Sequence, residues 1–224
     1  IDLQYLEIGK YISKYYSYFV FNNDSLIWDW QNKHPNAQSI PRKIGILGRM
    51  PYYWSEYKYS EFFKDYKRNV LTEYARMPQQ SKIPNCMYLE DMPEQDWRIL
   101  EDTLTINSYL CQKAMCHFRG RDYIAWFAID IPINNGPWKF GGLPGLILKV
   151  YDSQRLYTFE CIKVENGKFP IMKYRFKNYK PTERNKLLRL QIKINENFYQ
   201  TAGLIPFGRG KAPAPTSYEP LELE

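Results

Sequence analysis

The chain's 224 residues, 44% of them hydrophobic, are enough to bury one substantial core and too apolar for wholesale disorder. The formal charge of +7 can mean an anionic partner such as nucleic acid, lipid head groups or an acidic ligand, but its Lys and Arg are scattered rather than blocked, which favours a solvated basic surface, and nucleic acid is not the expected partner. No run of roughly 18 or more apolar residues offers a membrane-spanning helix. The 20 Tyr, 12 Phe and 6 Trp tilt the composition toward strands. The chain begins at Ile1 with no Met and no visible leader, so it is expected to be a processed or trimmed product.

In chain order, Asp2 to Ile8 reads as a strand, Gly9-Lys10 as a turn and Tyr11 to Val20 as a second strand. Ser25 can cap a short helix over Leu26 to Lys33. Tyr52 to Lys67 carries aromatics at both helical and strand spacing and reads as irregular or short helical. Short strands then follow at Val70 to Arg76, Cys86 to Asp91, Trp97 to Ile106, Ser108 to Gly120, Asp122 to Ile133, Leu146 to Tyr151, Leu156 to Val164 and Ile171 to Lys177. Short turns between successive strands predict an antiparallel meander. Pro181-Thr182-Glu183 opens an amphipathic helix at about 182–200 that Gly203 stops. The expected fold is therefore mainly β (α+β). It places 1–205 in a single antiparallel β-rich domain with that C-terminal helix and 206–224 in a proline-rich extended tail that orders only by docking.

The chemistry-bearing patterns are sparse. The string KFGGLPGLIL (Lys139 to Leu148) is followed by a strand pattern, not the helix a phosphate cradle needs, and it holds no nucleophile. It reads as a structural corner over Gly141, Gly142, Leu143, Pro144 and Gly145, with Pro144 fixing φ and Gly145 supplying the positive φ of a type II turn. Two histidines, His34 and His117, and no CxxC pair leave no expected metal site or cofactor. The acidic pairs Glu90-Asp91 and Glu101-Asp102 read as solvated surface. Asp130, where a strand runs into Ile131-Pro132, is a candidate acid–base residue with no visible partner. Arg119 and Arg121 flank Gly120 and can fork onto an anion, pair with acids or lie over rings. Trp126 and Trp138 are the aromatic candidates for a ligand face. If Cys111 to Cys116 is a strand, their Cα atoms lie about 16 Å apart, beyond the roughly 7 Å a disulfide tolerates. Each would then pair with Cys86 or Cys161, or all four cysteines are free buried thiols.

The run FRGRDYIAWFAIDIPINNGPWKFGGLPGLILKVYD (Phe118 to Asp152), with SYLCQKA before it, IGKYISKYYSY near the start and YEPLELE at the end, closely resembles the GLPGLI family. The resemblance implies a Bacteroidetes cell-envelope protein of unestablished function, exported by a signal peptide, periplasmic or outer-membrane-associated, and often encoded near TonB-dependent receptors. It implies Cys111–Cys161 as the favoured disulfide and supplies no catalytic residues. Fold-level analogy adds the half-open barrel of the LolA/LolB lipoprotein carriers, with a concave apolar face for a lipid or hydrophobic small molecule. The expectation is a non-enzymatic binding or accessory protein with low-grade ligand candidates Arg119, Arg121, Trp126, Asp130 and Trp138. The alternative is a hydrolase of envelope polymers using Asp130 and a second carboxylate.

Overall fold

The structure is a computed structural model that describes residues 2–41, 60–77, 83–171, 178–203 and 214–224. Among the described residues the strands fall in two sheets of six and five, neither closed on itself, and helices are few. The chain divides into two compact units, each assembled from separated stretches of sequence. No linker composition marks such a division, because neither unit is a continuous segment.

The first unit holds the six-stranded sheet, which begins as an antiparallel meander of β1 (Gln4–Ile8), β2 (Ile12–Ser17), β3 (Ser60–Asp65) and β4 (Val70–Ala75). β5 (Cys86–Asp91) follows β4 in the sheet, and the two-residue β11 (Lys180–Pro181) pairs with β5 in parallel. β3 corrects the irregular or helical reading of its stretch, of which 52–59 lies outside the described residues. Its aromatics match neither simple period because the strand is inserted between β2 and β4 and covered on both faces, so that Phe62, Phe63 and Lys64 are all buried. α1 (Tyr18–Lys33) starts where the second strand was expected to continue. Ser17 is the cap, its hydroxyl accepting from the Val20 N–H at 3.4 Å, while Ser25 lies inside the helix and donates to the Phe21 carbonyl at 2.9 Å.

In the second unit the sheet order is β10-β9-β8-β7-β6, antiparallel throughout. β6 (Arg98–Ile106) turns through Asn107-Ser108 into β7 (Tyr109–Phe118), and β7 turns through Arg119-Gly120 into β8 (Arg121–Ala128). All four turn residues have positive φ, as two-residue hairpins with the right twist require. β8 ends five residues before the expected Ile133, and the chain returns as β9 (Leu146–Asp152). The strand expected over Leu156 to Val164 shrinks to β10 (Thr158–Glu160). Of the last expected strand, Ile171 is irregular and 172–177 lies outside the described residues. The C-terminal helix is two helices, α2 (Arg184–Glu196) and α3 (Phe198–Ala202). Asn197 breaks them and caps α3 through its side chain, and Gly203 at φ 66° stops it.

The stretch between β8 and β9 covers one sheet face. Tyr123, Ala125 and Phe127 project there from β8, and Trp138, Phe140 and Leu143 pack over them, all fully buried. The Phe140 ring is the hub, with centroids 4.8 Å from Tyr123, 5.2 Å from Trp138 and 6.0 Å from Phe118. Within GLPG the positive φ belongs to Gly142, at 81°, and not to Gly145. Gly145 is needed for another reason: a Cβ there would land on the carbonyl oxygen of Ala128. The corner therefore forms by close backbone approach rather than by the expected type II turn.

Candidate functional site

The hairpin tip Arg119-Gly120 carries the best-developed polar site of the second unit. Three cations, Arg119, Lys139 and Arg184, meet two carboxylates, Glu90 and Glu222. Arg119 Nη2 lies 2.7 Å from Glu90 and its Nε 3.7 Å from Glu222. Arg184, the first residue of α2, places Nη1 2.7 Å from Glu222 and Nε 3.8 Å from Glu90. Lys139 is fully buried between Trp138 and Phe140, donates to Glu222, and lies 4.0 Å from Glu90. Burial by itself would raise the Glu222 carboxyl, but Lys139, Arg184 and Arg119 outweigh it and hold the group below its ordinary 4.5.

Glu222 belongs to the segment 218–224, which lies against the hairpin and bends at Leu221. Arg121 opens β8 and is buried, with its Nε donating to the carbonyls of Pro220 at 3.2 Å and Leu221 at 3.1 Å. Its Nη2 reaches Glu219 at 2.8 Å, and its Nη1 lies 3.7 Å from Asp152. The Tyr123 hydroxyl donates to the Leu221 carbonyl at 3.3 Å and the Tyr157 hydroxyl to that of Glu219. The Leu223 N–H donates to the Arg119 carbonyl at 3.0 Å, and Leu221 is fully buried. Farther back, the Thr216 N–H donates to the Glu196 carbonyl at 2.9 Å, at the far end of α2 from Arg184. The segment thus runs antiparallel to the helix.

Two of the expected ligand residues, Arg119 and Arg121, meet in this site. Trp138 sits beneath it, its ring 5.1 Å from Lys139 Nζ and edge-on to Phe118, but wholly buried. Trp126 points to the other sheet face, half-buried, with Lys113 Nζ 5.8 Å from its ring. Asp130 is exposed in the turn after β8 and is not among the carboxylates that meet at the hairpin tip. His117 pairs with Asp122 at 2.8 Å on the strand face opposite to Cys116, whose thiol is pushed up to about 12 by burial and by Asp122 and Asp96. The expected disulfide partners Cys111 and Cys161 are free thiols, as are Cys86 and Cys116. Among the described residues no group of His, Cys, Asp and Glu could hold a metal ion, and no helix is long and apolar enough to cross a membrane.

Sequence reasoning missed Lys139, Glu90, Arg184 and Glu222. One signal was available: Lys139 is a lone charge between Trp138 and Phe140 in an otherwise apolar stretch, and such a charge stays buried only when paired. Glu90, set aside with Asp91 as surface, is held by Arg119, while Asp91 is exposed.

These features define a mainly β protein whose ion cluster grips a stretch of its own chain. Residues 119–149 match the model of a family described as "Protein of unknown function (Porph_ging)". That span runs from the hairpin tip to β9 and includes Arg119, Arg121 and Lys139. No curated protein matches. The chain is similar in fold to PNGF-II as solved in two crystal forms. In the C2 form the TM-score is 0.53 at 14% identity over 87% of this chain. In the P21 form it is 0.50 at 14% identity over 83% of this chain. The match spans only 31% and 28% of those chains, so the likeness concerns fold alone.

Proposed function

We propose that this is a non-enzymatic binding or accessory protein of the cell envelope, serving a TonB-dependent outer-membrane receptor or carrying a hydrophobic ligand. One observation carries the reading: the buried charges of the second unit, which an enzyme would turn toward a substrate, hold a length of the chain's own polypeptide. Binding of polypeptide is what such a site does. The envelope setting comes from the resemblance around the GLPGLI string alone, a stretch that the match to a family of unknown function also covers. The hydrolase alternative needed a second carboxylate facing Asp130 across one cleft. Asp130 is exposed, while Glu90 and Glu222 are already engaged by Arg119, Lys139 and Arg184.

The test is to produce the tagged chain with a leader in a host that makes the neighbouring receptor, fractionate the cells, and purify the tag. Recovery from the periplasm or outer membrane with the receptor, or with a bound lipid seen by native mass spectrometry, is expected. Release of sugars or peptides from envelope polymers by the purified protein would overturn the non-enzymatic reading. Recovery from the envelope with neither receptor nor lipid would overturn the proposed partners.

A further inference from the structure

The segment Glu219 to Glu224 is held as proteins hold separate peptides. Arg121 and Tyr123 read the main-chain carbonyls of Pro220 and Leu221, and the Arg119 carbonyl accepts from the Leu223 N–H. Leu221 is a single buried apolar anchor, and Glu222 is a single acidic anchor between Lys139 and Arg184. Main-chain bonds for affinity and side-chain pockets for selection are the means by which peptide segments are recognised.

The groove's shape and charge fit the same ligand. Gly120, at φ 78°, leaves the clearance: a Cβ there would stand 2.7 Å from the Leu223 Cβ. The groove side contributes four cations, Arg119, Arg121, Lys139 and Arg184, against two acids, Glu90 and Asp152. Glu219 and Glu222 of the segment supply the balance. None of these contacts depends on the segment belonging to the same chain.

From this arrangement we infer that the groove between the hairpin tip and α2 recognises an acidic segment of a partner protein with the pattern acid–Pro–Leu–acid, and that the chain's own residues 219–222 are a resident occupant the partner displaces. The inference rests on the reading of this chain as a binding protein and names the chemistry of its partner. A lipid lacks the two successive amide carbonyls followed by a carboxylate that Arg121, Tyr123 and Lys139 engage, so the groove selects polypeptide.

The experiment uses the full chain with Leu221→Ala and Glu222→Gln, which weakens the resident segment, and a fluorescent peptide of sequence SYEPLELE. Fluorescence anisotropy is expected to show saturable binding about tenfold tighter than to the unsubstituted chain. A peptide carrying the same two changes is expected to bind about tenfold more weakly than SYEPLELE. Should that variant fail to fold, the unsubstituted chain is given a protease site within 206–213 and cut, and the labelled peptide is expected to exchange for the severed segment. No uptake by a folded variant or by the cut chain overturns the proposal, and so does equal binding of a scrambled peptide. A concentration-dependent dimer with exchanged segments would assign the groove to a second copy and overturn the partner assignment. Failure of exchange is separable from failure of the envelope reading, because fractionation and receptor recovery do not depend on groove occupancy.

Discussion

At the scale of single residues, three lysines are buried among the described residues and are accommodated differently. Lys14 lies 2.8 Å from Glu61, with its ammonium 4.2 Å from the Tyr16 ring centre and 5.7 Å from that of Phe63. Lys139 donates to Glu222. Lys64 lies in mid-strand, opposite Ser13 and Leu71, and burial lowers its amine from 10.5 to about 7. A lysine lowered in this way binds fewer protons folded than unfolded between those two values. Stability must therefore rise as pH climbs from about 7 toward 10, with the burial penalty fully present below 7. Lys64→Met removes that penalty. Its melting temperature should exceed the parent's most at about pH 6 and lose the advantage as pH approaches 10. A difference independent of pH, read by circular dichroism melts, would sink the account. Lys139→Met behaves oppositely. It takes from Glu222 its buried partner and leaves the carboxylate to Arg184 and Arg119, so the loss should approach but not exceed the about 3–5 kcal/mol of a broken buried pair.

At the scale of elements, what the sequence announced depends on how locally each piece is held. β7, β8 and β9 were legible because cross-strand neighbours enforce period-two patterning within a dozen residues. The start of α1 was not, since Tyr18 to Val20 suits a strand as well as a helix and only the Ser17 cap decides between them. Arg119 and Arg121 were legible from the hairpin glycine between them. Lys139 and Arg184 were not, because they meet Glu222 from 83 and 38 residues away. The GLPG corner shows the same limit. Its glycines look interchangeable in sequence, yet Gly142 is there for φ and Gly145 for clearance from Ala128. Gly145→Ala collides with main chain that cannot move without dragging β8, and should cost about 1–3 kcal/mol or more. Gly142→Ala meets only ordinary contact with Trp97 at 3.4 Å and bears a left-handed φ, costing about 1–2 kcal/mol. The lower melting temperature should therefore belong to Gly145→Ala, and the reverse order would contradict the close-approach explanation.

At the scale of the whole molecule, residues 98 and more positions apart are joined when Arg121 meets Glu219, Pro220 and Leu221, so the second unit is completed only when the last segment docks. Such closure brings little local stabilisation before it is finished, and it depends on charge at one carboxylate. Glu222 has a folded pKa below its ordinary 4.5, so its contribution is fully present above about 4.5 and is lost as pH falls through the lower, folded value. Acid should loosen the segment before it melts the sheet, because protonation removes the partner of Lys139 and Arg184 while the aromatic packing around Phe140 is uncharged. Hydrogen exchange measured from about pH 5 down to pH 3 and corrected for intrinsic rates should lose protection at the Leu223 amide ahead of the amides of β8. In Glu222→Gln the segment should already be less protected at neutral pH and change less on acidification. If Leu223 and β8 lose protection together at every pH, the segment is an inseparable part of the fold and not a docked strand.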